Sequence, residues 1–211
     1  MVVISPMGGH GSVFLSRALE IRCRRPDVAF GLEKDITDVA VDKYRRSWDN
    51  RTRMTLKSDA TIEWNLLNAI RVKPNVLLGG ICSIKKPFLT RNKIKAFCFV
   101  RHPVHAYVSL LKNQHPGIVK KLKGFNTEEA VDWWCWRWNA IVEDFLSSGN
   151  EIYRFEFMPE EIKDEQVRKK LKGWDPSRRN YGQLSGWLET KMKMQVEEKF
   201  YRIYDSWRLD D

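Results

Sequence analysis

The stretch AFCFVRHPVHAYVSLLKN, residues 96 to 113, constrains the fold more than any other, because its pattern changes within three residues. The apolar run from Ile94 to Val100 predicts a buried strand. Pro103, with its fixed φ, suits the first turn of a helix. Arg101 therefore stands where a strand ends. Ser109 comes seven residues after His102 and four after His105, so the three share a helix face. Arg101 and Ser109 can then converge on one anion near the strand's carboxyl end, where α/β sheets bind ligands. The plainer alternative gives Arg101 a structural ion pair and makes Ser109 a routine helix serine.

A second junction of the same kind opens the chain. Val2-Val3-Ile4 is a β-branched run that predicts a buried parallel strand. After the turn from Pro6 to Gly11, the segment SVFLSRALEIRCR predicts a helix with Val13, Phe14, Ala18 and Ile21 on one face. Such a turn aims backbone N–H groups at one point, and the helix dipole adds to their pull on an anion. Gly8, Gly9 and Gly11 let the backbone approach a ligand closely, and Ser12 can add a hydroxyl. A Walker A loop would place lysine directly after its last glycine, and here that residue is Ser12. A phosphate-transferring site also wants a carboxylate at the end of a nearby strand to organise Mg²⁺. AFCFV ends in Arg101 instead, which argues against an NTPase and favours direct phosphate binding by a guanidinium.

Between Pro26 and Asn75 the pattern loosens. Only ATIEWNLLNAIR reads as a helix, with Ile62, Leu66, Ala69 and Ile70 on one side. NVLLGGICSIKKP is an apolar run ending at Lys85-Lys86-Pro87. TEEAVDWWCWRWNAIVEDFLSSGN predicts a long amphipathic helix with Thr127 as N-cap, Val131, Trp134, Trp138, Ile141 and Phe145 inward, and Gly149 as its stop. EIYRFEFM alternates like a strand, and a helix-rich segment follows. Strands and helices interleave, so the expected class is α/β, with a central mostly parallel sheet flanked by helices. At 211 residues one core is expected: a single domain over residues 1–211, with a substrate-side insertion at 26–75.

The formal charge of +10 attracts anions without choosing among them, and the basic residues form no single tail of the kind that binds nucleic acid. Cys23, Cys82, Cys98 and Cys135 are far apart and form no CxxC pair, which points to reduced thiols and no metal site. No signal peptide or membrane-spanning run is evident, so the expectation is a cytoplasmic protein.

FVRHPVHAYVSLL resembles the 3′-phosphate-binding segment of sulfotransferases that use 3′-phosphoadenosine 5′-phosphosulfate (PAPS), approximately R-[ND]-P-x-x-x-x-x-S. The opening loop is similar to that family's 5′-phosphosulfate loop, approximately [PK]-x-S-G-T-[TS]. Both occur in the family's order, each at a strand–helix junction. The resemblance implies the P-loop-like sulfotransferase fold and transfer of a sulfonate from PAPS to a hydroxyl or amine, with no metal. By position, Arg101 and Ser109 would bind the 3′-phosphate, while Gly8, Gly9, His10, Gly11, Ser12 and Val13 would wrap the 5′-phosphosulfate. The loop departs from the pattern: the usual lysine falls on Gly9, the serine on His10 and the second threonine on Val13. Lys85, matching a family K-x-P lysine, would then supply the catalytic cation, with Lys86 as its alternative. RRNYGQLSGWLETKMKMQVEEKFYRIYDSW resembles the family's R-K-G-x-x-G-D-W segment. There Gly186-Trp187 stand for the Gly-Asp-Trp part and Arg178 or Arg179 would fold over the 3′-phosphate.

Sulfonate transfer needs a base for the acceptor's proton, and His10, facing the sulfonate in this reading, fits; Glu33 and Glu63 are the alternatives. His102 and His105 read as helix-start residues. Trp133 and Trp136 read as core, or as stacking on adenine or an acceptor ring. The basic residues Lys43, Arg45, Arg46, Arg51, Arg53 and Lys57 point to an acidic or sulfated glycan as acceptor, and a small alcohol is equally allowed. Three other readings stand beside this one: a P-loop-type kinase, a relative that binds PAPS without turnover, and a non-catalytic nucleotide or polyanion binder.

Overall fold

Among the described residues five short strands pair entirely in parallel: β1 (Val2–Ser5), β2 (Arg22–Arg24), β3 (Val76–Gly79), β4 (Ala96–Val100) and β5 (Ile152–Arg154). Their order across the sheet is β2-β3-β1-β4-β5, which puts β1 at the centre. Ile4 is level with Leu78 on one side and Cys98 on the other, and Cys98 is level with Ile152. The computed structural model describes residues 2–5, 11, 15, 17–20, 22–24, 67, 70, 76–79, 85–112, 127–171 and 186–208. The insertion at 26–75 thus lies almost wholly outside the described residues.

Parallel neighbours need crossover connections, and described helices lie between β3 and β4 and between β4 and β5. Helices with described bounds are α1 (Lys86–Arg91), α2 (Pro103–Lys112), α3 (Thr127–Ser147), α4 (Met158–Glu161), α5 (Glu165–Lys170) and α6 (Gly186–Phe200). β4 shows why both faces of the sheet are covered. Cys98 and Val100 point into one buried cluster, with Tyr107 of α2, Trp134, Trp138 and Phe145 of α3, and Met192, Val196 and Phe200 of α6. Phe97 and Phe99 point into the other, with Leu15, Leu19, Tyr153, Phe155, Met158, Ile162 and Val167. Period-two alternation places successive β4 side chains on opposite faces, and each face meets its own helical layer.

The expected inner stripe of α3 holds, since Val131, Trp134, Trp138, Ile141 and Phe145 are all fully buried. α3 begins at Thr127 itself, so that residue is inside the first turn, and Gly149 ends the helix at φ +73. Against α3 lies α6, running the same way: Lys191 reaches Glu128 and Asp132, while Lys199 bonds Glu143 farther along. Exposed pairs of this kind fix register more than they add stability.

Three expected elements are corrected. The first helix does not run to residue 24: Glu20 takes φ +55, and β2 follows from Arg22. Leu15 and Leu19, one turn apart, face its core. Ala18 is half-buried beside them, whereas Val13, Phe14 and Ile21 lie outside the described residues. β4 starts at Ala96 rather than Ile94, because Lys93 turns through φ +52 just before it. EIYRFEFM is a strand only as far as Arg154, after which Phe155–Phe157 coil into a 3₁₀ turn. That turn carries Glu156 into the interior.

Candidate functional site

The order of the strands locates a crevice. From β1 the chain travels to β2, on one flank of the sheet, and from β4 it travels to β5, on the other. β1 and β4 are neighbours whose onward connections diverge, the position at which parallel sheets form a ligand crevice beyond their carboxyl ends. Gly11, in the loop after β1, and Arg101, directly after β4, belong to this edge.

One ring joins them. The Arg101 guanidinium lies over Phe155 with its carbon 4.9 Å from the ring centroid. Gly11 has φ +79, and a Cβ added there would come within 2.3 Å of the same ring. Only glycine fits both that backbone angle and that contact. The shared ring keeps the glycine backbone and the guanidinium within about 10 Å of each other.

Glu156 is the centre of the charge network at this edge. Arg101 is only 1% exposed, and its Nε lies 3.8 Å from Glu156 Oε1. The same oxygen accepts the His102 backbone N–H at 3.0 Å and stands 3.4 Å from His105 Nδ1. Oε2 accepts the Tyr204 hydroxyl at 2.9 Å. Burial pushes the Glu156 carboxyl up. The hydrogen bond from His105 and the positive charges around it outweigh that and hold the group below its ordinary value. Burial, with the neighbouring carboxylate, drives the Tyr204 phenol well above its usual range.

His102 is a capping residue. Its Nδ1 accepts the Val104 N–H at 3.3 Å, and its Nε2 donates to the Trp207 carbonyl at 2.7 Å. One nitrogen accepting and the other donating is the neutral tautomer. Burial lowers its pKa to about 4 despite the adjacent Glu156. Where the resembling pattern has Asn or Asp, His102 offers an acceptor nitrogen in place of the side-chain oxygen that caps a helix. The sequence reading of His102 as a helix-start residue agrees with this geometry.

The tryptophans of α3 brace the junction. Trp134 Nε1 donates to the Pro103 carbonyl and Trp138 Nε1 to the Arg101 carbonyl, each at 2.9 Å. From the C-terminal side, Phe200, Tyr204 and Trp207 pack edge-on around the His102 ring at 5.2, 5.6 and 5.0 Å. Phe155, Glu156, Tyr204 and Trp207 all belong to the site without having been singled out for it in the sequence. Glu156 carries one sequence signal, a charge amid the apolar residues of IYRFEFM, the pattern of a buried ion-pair partner.

Ser109 is buried on α2, eight residues on from Arg101. Lys85 is not brought to this edge. It precedes α1, and the Lys86 N–H bonds the Ser148 carbonyl at 2.9 Å, just past α3 and ahead of β5. α1 then leads through four residues into the start of β4. Lys85 and Lys86 therefore stand at the amino edge of the sheet, across the length of β4 from Arg101. The expectation that Lys85 points into the cleft is not met: it stands beside Ser147, Ser148 and Gly149, away from Arg101. Gly8, Gly9, His10, Ser12, Val13, Glu33, Glu63, Arg178 and Arg179 lie outside the described residues. Trp133 is buried, with the Arg137 guanidinium 5.3 Å from its ring, and Trp136 is half-buried beside α6. Among the described residues, no helix is long and apolar enough to cross a membrane. Comparison of the chain with protein-family models, with curated proteins and with solved structures finds no match in any of the three.

Proposed function

We propose that the cleft between the carboxyl ends of β1 and β4 holds an adenylate with an anionic group at each end, and that the chain is a PAPS-dependent sulfotransferase of the P-loop-like sulfotransferase fold. The observation that carries this reading is the Phe155 ring, on which the glycine bend and the Arg101 guanidinium both pack within the span of one nucleotide. The diverging connections of β1 and β4 support it, because ligands of parallel sheets collect at such a point.

In this reading the backbone amides of Gly8 to Val13 hold the 5′-phosphosulfate. Arg101, with Ser109 and Arg178 or Arg179, recognises the 3′-phosphate. The reaction forms a bond from the acceptor oxygen or nitrogen to sulfur and breaks the bond from sulfur to the phosphate oxygen. Adenosine 3′,5′-bisphosphate leaves, and the acceptor's proton passes to His10 or a glutamate. Charge growing on the leaving phosphate is met by the loop amides and the helix dipole, since Lys85 stands at the far edge. An acidic glycan or a small alcohol remains the acceptor class.

The placement of Lys85 also favours a second reading, in which the chain binds the nucleotide without turning it over. Calorimetric titration with adenosine 3′,5′-bisphosphate, adenosine 5′-phosphate and ATP separates these cases. The bisphosphate should bind tightest, without Mg²⁺. Arg101→Lys, which keeps a charge beside Glu156, should weaken the bisphosphate by about tenfold or more and the 5′-phosphate little, because a bidentate fork is lost. Equal losses for both nucleotides sink the assignment, as does Mg²⁺-dependent ATP turnover. Formation of bisphosphate from PAPS with an acceptor present marks the enzyme, and binding without it marks the second reading.

A further inference from the structure

The outer face of α6 carries an apolar stripe with an internal symmetry. Trp187, Met194 and Tyr201 are 55, 74 and 46% exposed, and they are the large exposed hydrophobic residues among those described. They recur every seven residues, two helical turns, so they form one line along the helix. The Tyr201 N–H bonds the Glu197 carbonyl at 3.2 Å, so the helical path continues to the end of that line. The opposite face, with Met192, Val196 and Phe200, is buried against the body of the protein. α6 is therefore apolar on both faces, and only one is covered.

On one side of the stripe Lys193 flanks the half that begins at Trp187 and Glu197 the half that ends at Tyr201. The other flanking charges are paired within the protomer: Lys191 with Glu128 and Asp132, Glu198 with Lys199, and Arg202 with Glu143. Lys191 also holds the stripe in shape. Its ammonium lies 5.7 Å from the Trp187 ring centroid while bonding Glu128 at 2.6 Å, which ties that exposed indole to α3.

We propose that this face is a self-association surface, on which a second copy of the chain docks its own α6 antiparallel. A two-fold axis through Met194 sets Met194 on Met194, Trp187 on Tyr201 and Lys193 beside Glu197, so one stripe serves both partners. The antiparallel arrangement places each Lys193 beside the other copy's Glu197, whereas parallel docking sets Lys193 on Lys193 and Glu197 on Glu197. Three side chains and their rim cover on the order of 1,000 Å² over the two copies, the lower limit for a specific pair. The dimer is accordingly weak and concentration-dependent. It does not rest on the sulfotransferase reading.

Sedimentation velocity of the full chain over a wide concentration range tests it. The wild type should shift from monomer to dimer as concentration rises. Met194→Glu and Met194→Lys, each putting like charges together at the axis, should weaken association by about tenfold or more. Their equimolar mixture should restore it. Both variants alter an exposed position, so unchanged circular dichroism and melting confirm that each is folded. A wild type that stays monomeric throughout overturns the proposal, and so does a dimer that either variant leaves intact. Failure of the mixture to associate overturns the two-fold axis at Met194.

Discussion

The two ends of β4 teach different lessons about cations beside a strand. At the carboxyl end, Arg101 is buried over Phe155, within reach of Glu156, and its carbonyl is held by Trp138. At the amino edge, Lys86 is exposed, Lys85 is half-buried, and their nearest fixed point is a backbone bond to Ser148. Both segments read in sequence as a basic residue and a proline following an apolar run. What separates them is desolvation. A buried guanidinium needs a carboxylate and a braced backbone, whereas an ammonium at the surface keeps its water and needs neither.

That contrast can be broken in four measurements, from the largest expected effect to the smallest. Glu156→Ala should cost roughly 3–5 kcal/mol in urea denaturation, because it strands a buried charge at Arg101 together with the His102 N–H. A loss under about 1 kcal/mol would mean that Arg101 is stabilised by other groups.

The second measurement is pH dependence. Burial holds the His102 pKa at about 4, below the ordinary imidazole value of 6.5. Above the unfolded value both states are neutral and stability is complete. As pH falls from 6.5 toward 4 the unfolded chain gains a proton that the native state refuses, so stability drops across that window, by roughly 3 kcal/mol. Glu156, with its native pKa depressed, contributes stability above the ordinary carboxylate value of 4.5 and loses it below. The two windows are thus separable. His102→Asn keeps a helix-capping acceptor without titrating, and it should flatten the upper window only. An unchanged slope between pH 6.5 and 4.5 would show that His102 is not the titrating group.

Third, Trp138→Phe and Trp134→Phe each remove one donor from a buried carbonyl, of Arg101 and Pro103 respectively, and should cost about 1–3 kcal/mol. Trp136→Phe, on the half-buried side of α3, is the control and should cost less. Smallest of all, Lys85→Ala at the amino edge should change stability by no more than about 0.5 kcal/mol. It should also leave affinity for adenosine 3′,5′-bisphosphate unchanged. Weakened binding in that variant would return Lys85 to the cleft.

Much of the scaffold was legible because its signals are local. β4, the Pro103 start of α2, the buried stripe of α3 and its stop at Gly149 all follow from period, proline and glycine within a few residues. The errors have local causes too. Glu20 and Lys93 take left-handed angles that their residue types do not advertise, so sequence pattern overextends the first helix and starts β4 two residues early. IYRFEFM alternates as a strand does, yet its second half coils so that Glu156 reaches Arg101. Nothing within eight residues of Glu156 declares which cation it serves.

From the sequence alone came the alternation of strand and helix, the parallel class of the sheet and the two glycine- and arginine-bearing junctions, because backbone propensity and side-chain period act over one or two turns. Tertiary structure decided which cation is desolvated, which histidine stays neutral and which end of the sheet each basic pair occupies. Those outcomes depend on partners 54 residues away for Glu156 and 105 residues away for Trp207, counted from His102. Burial and charge compensation are properties of what surrounds a group, and only the folded chain supplies those surroundings.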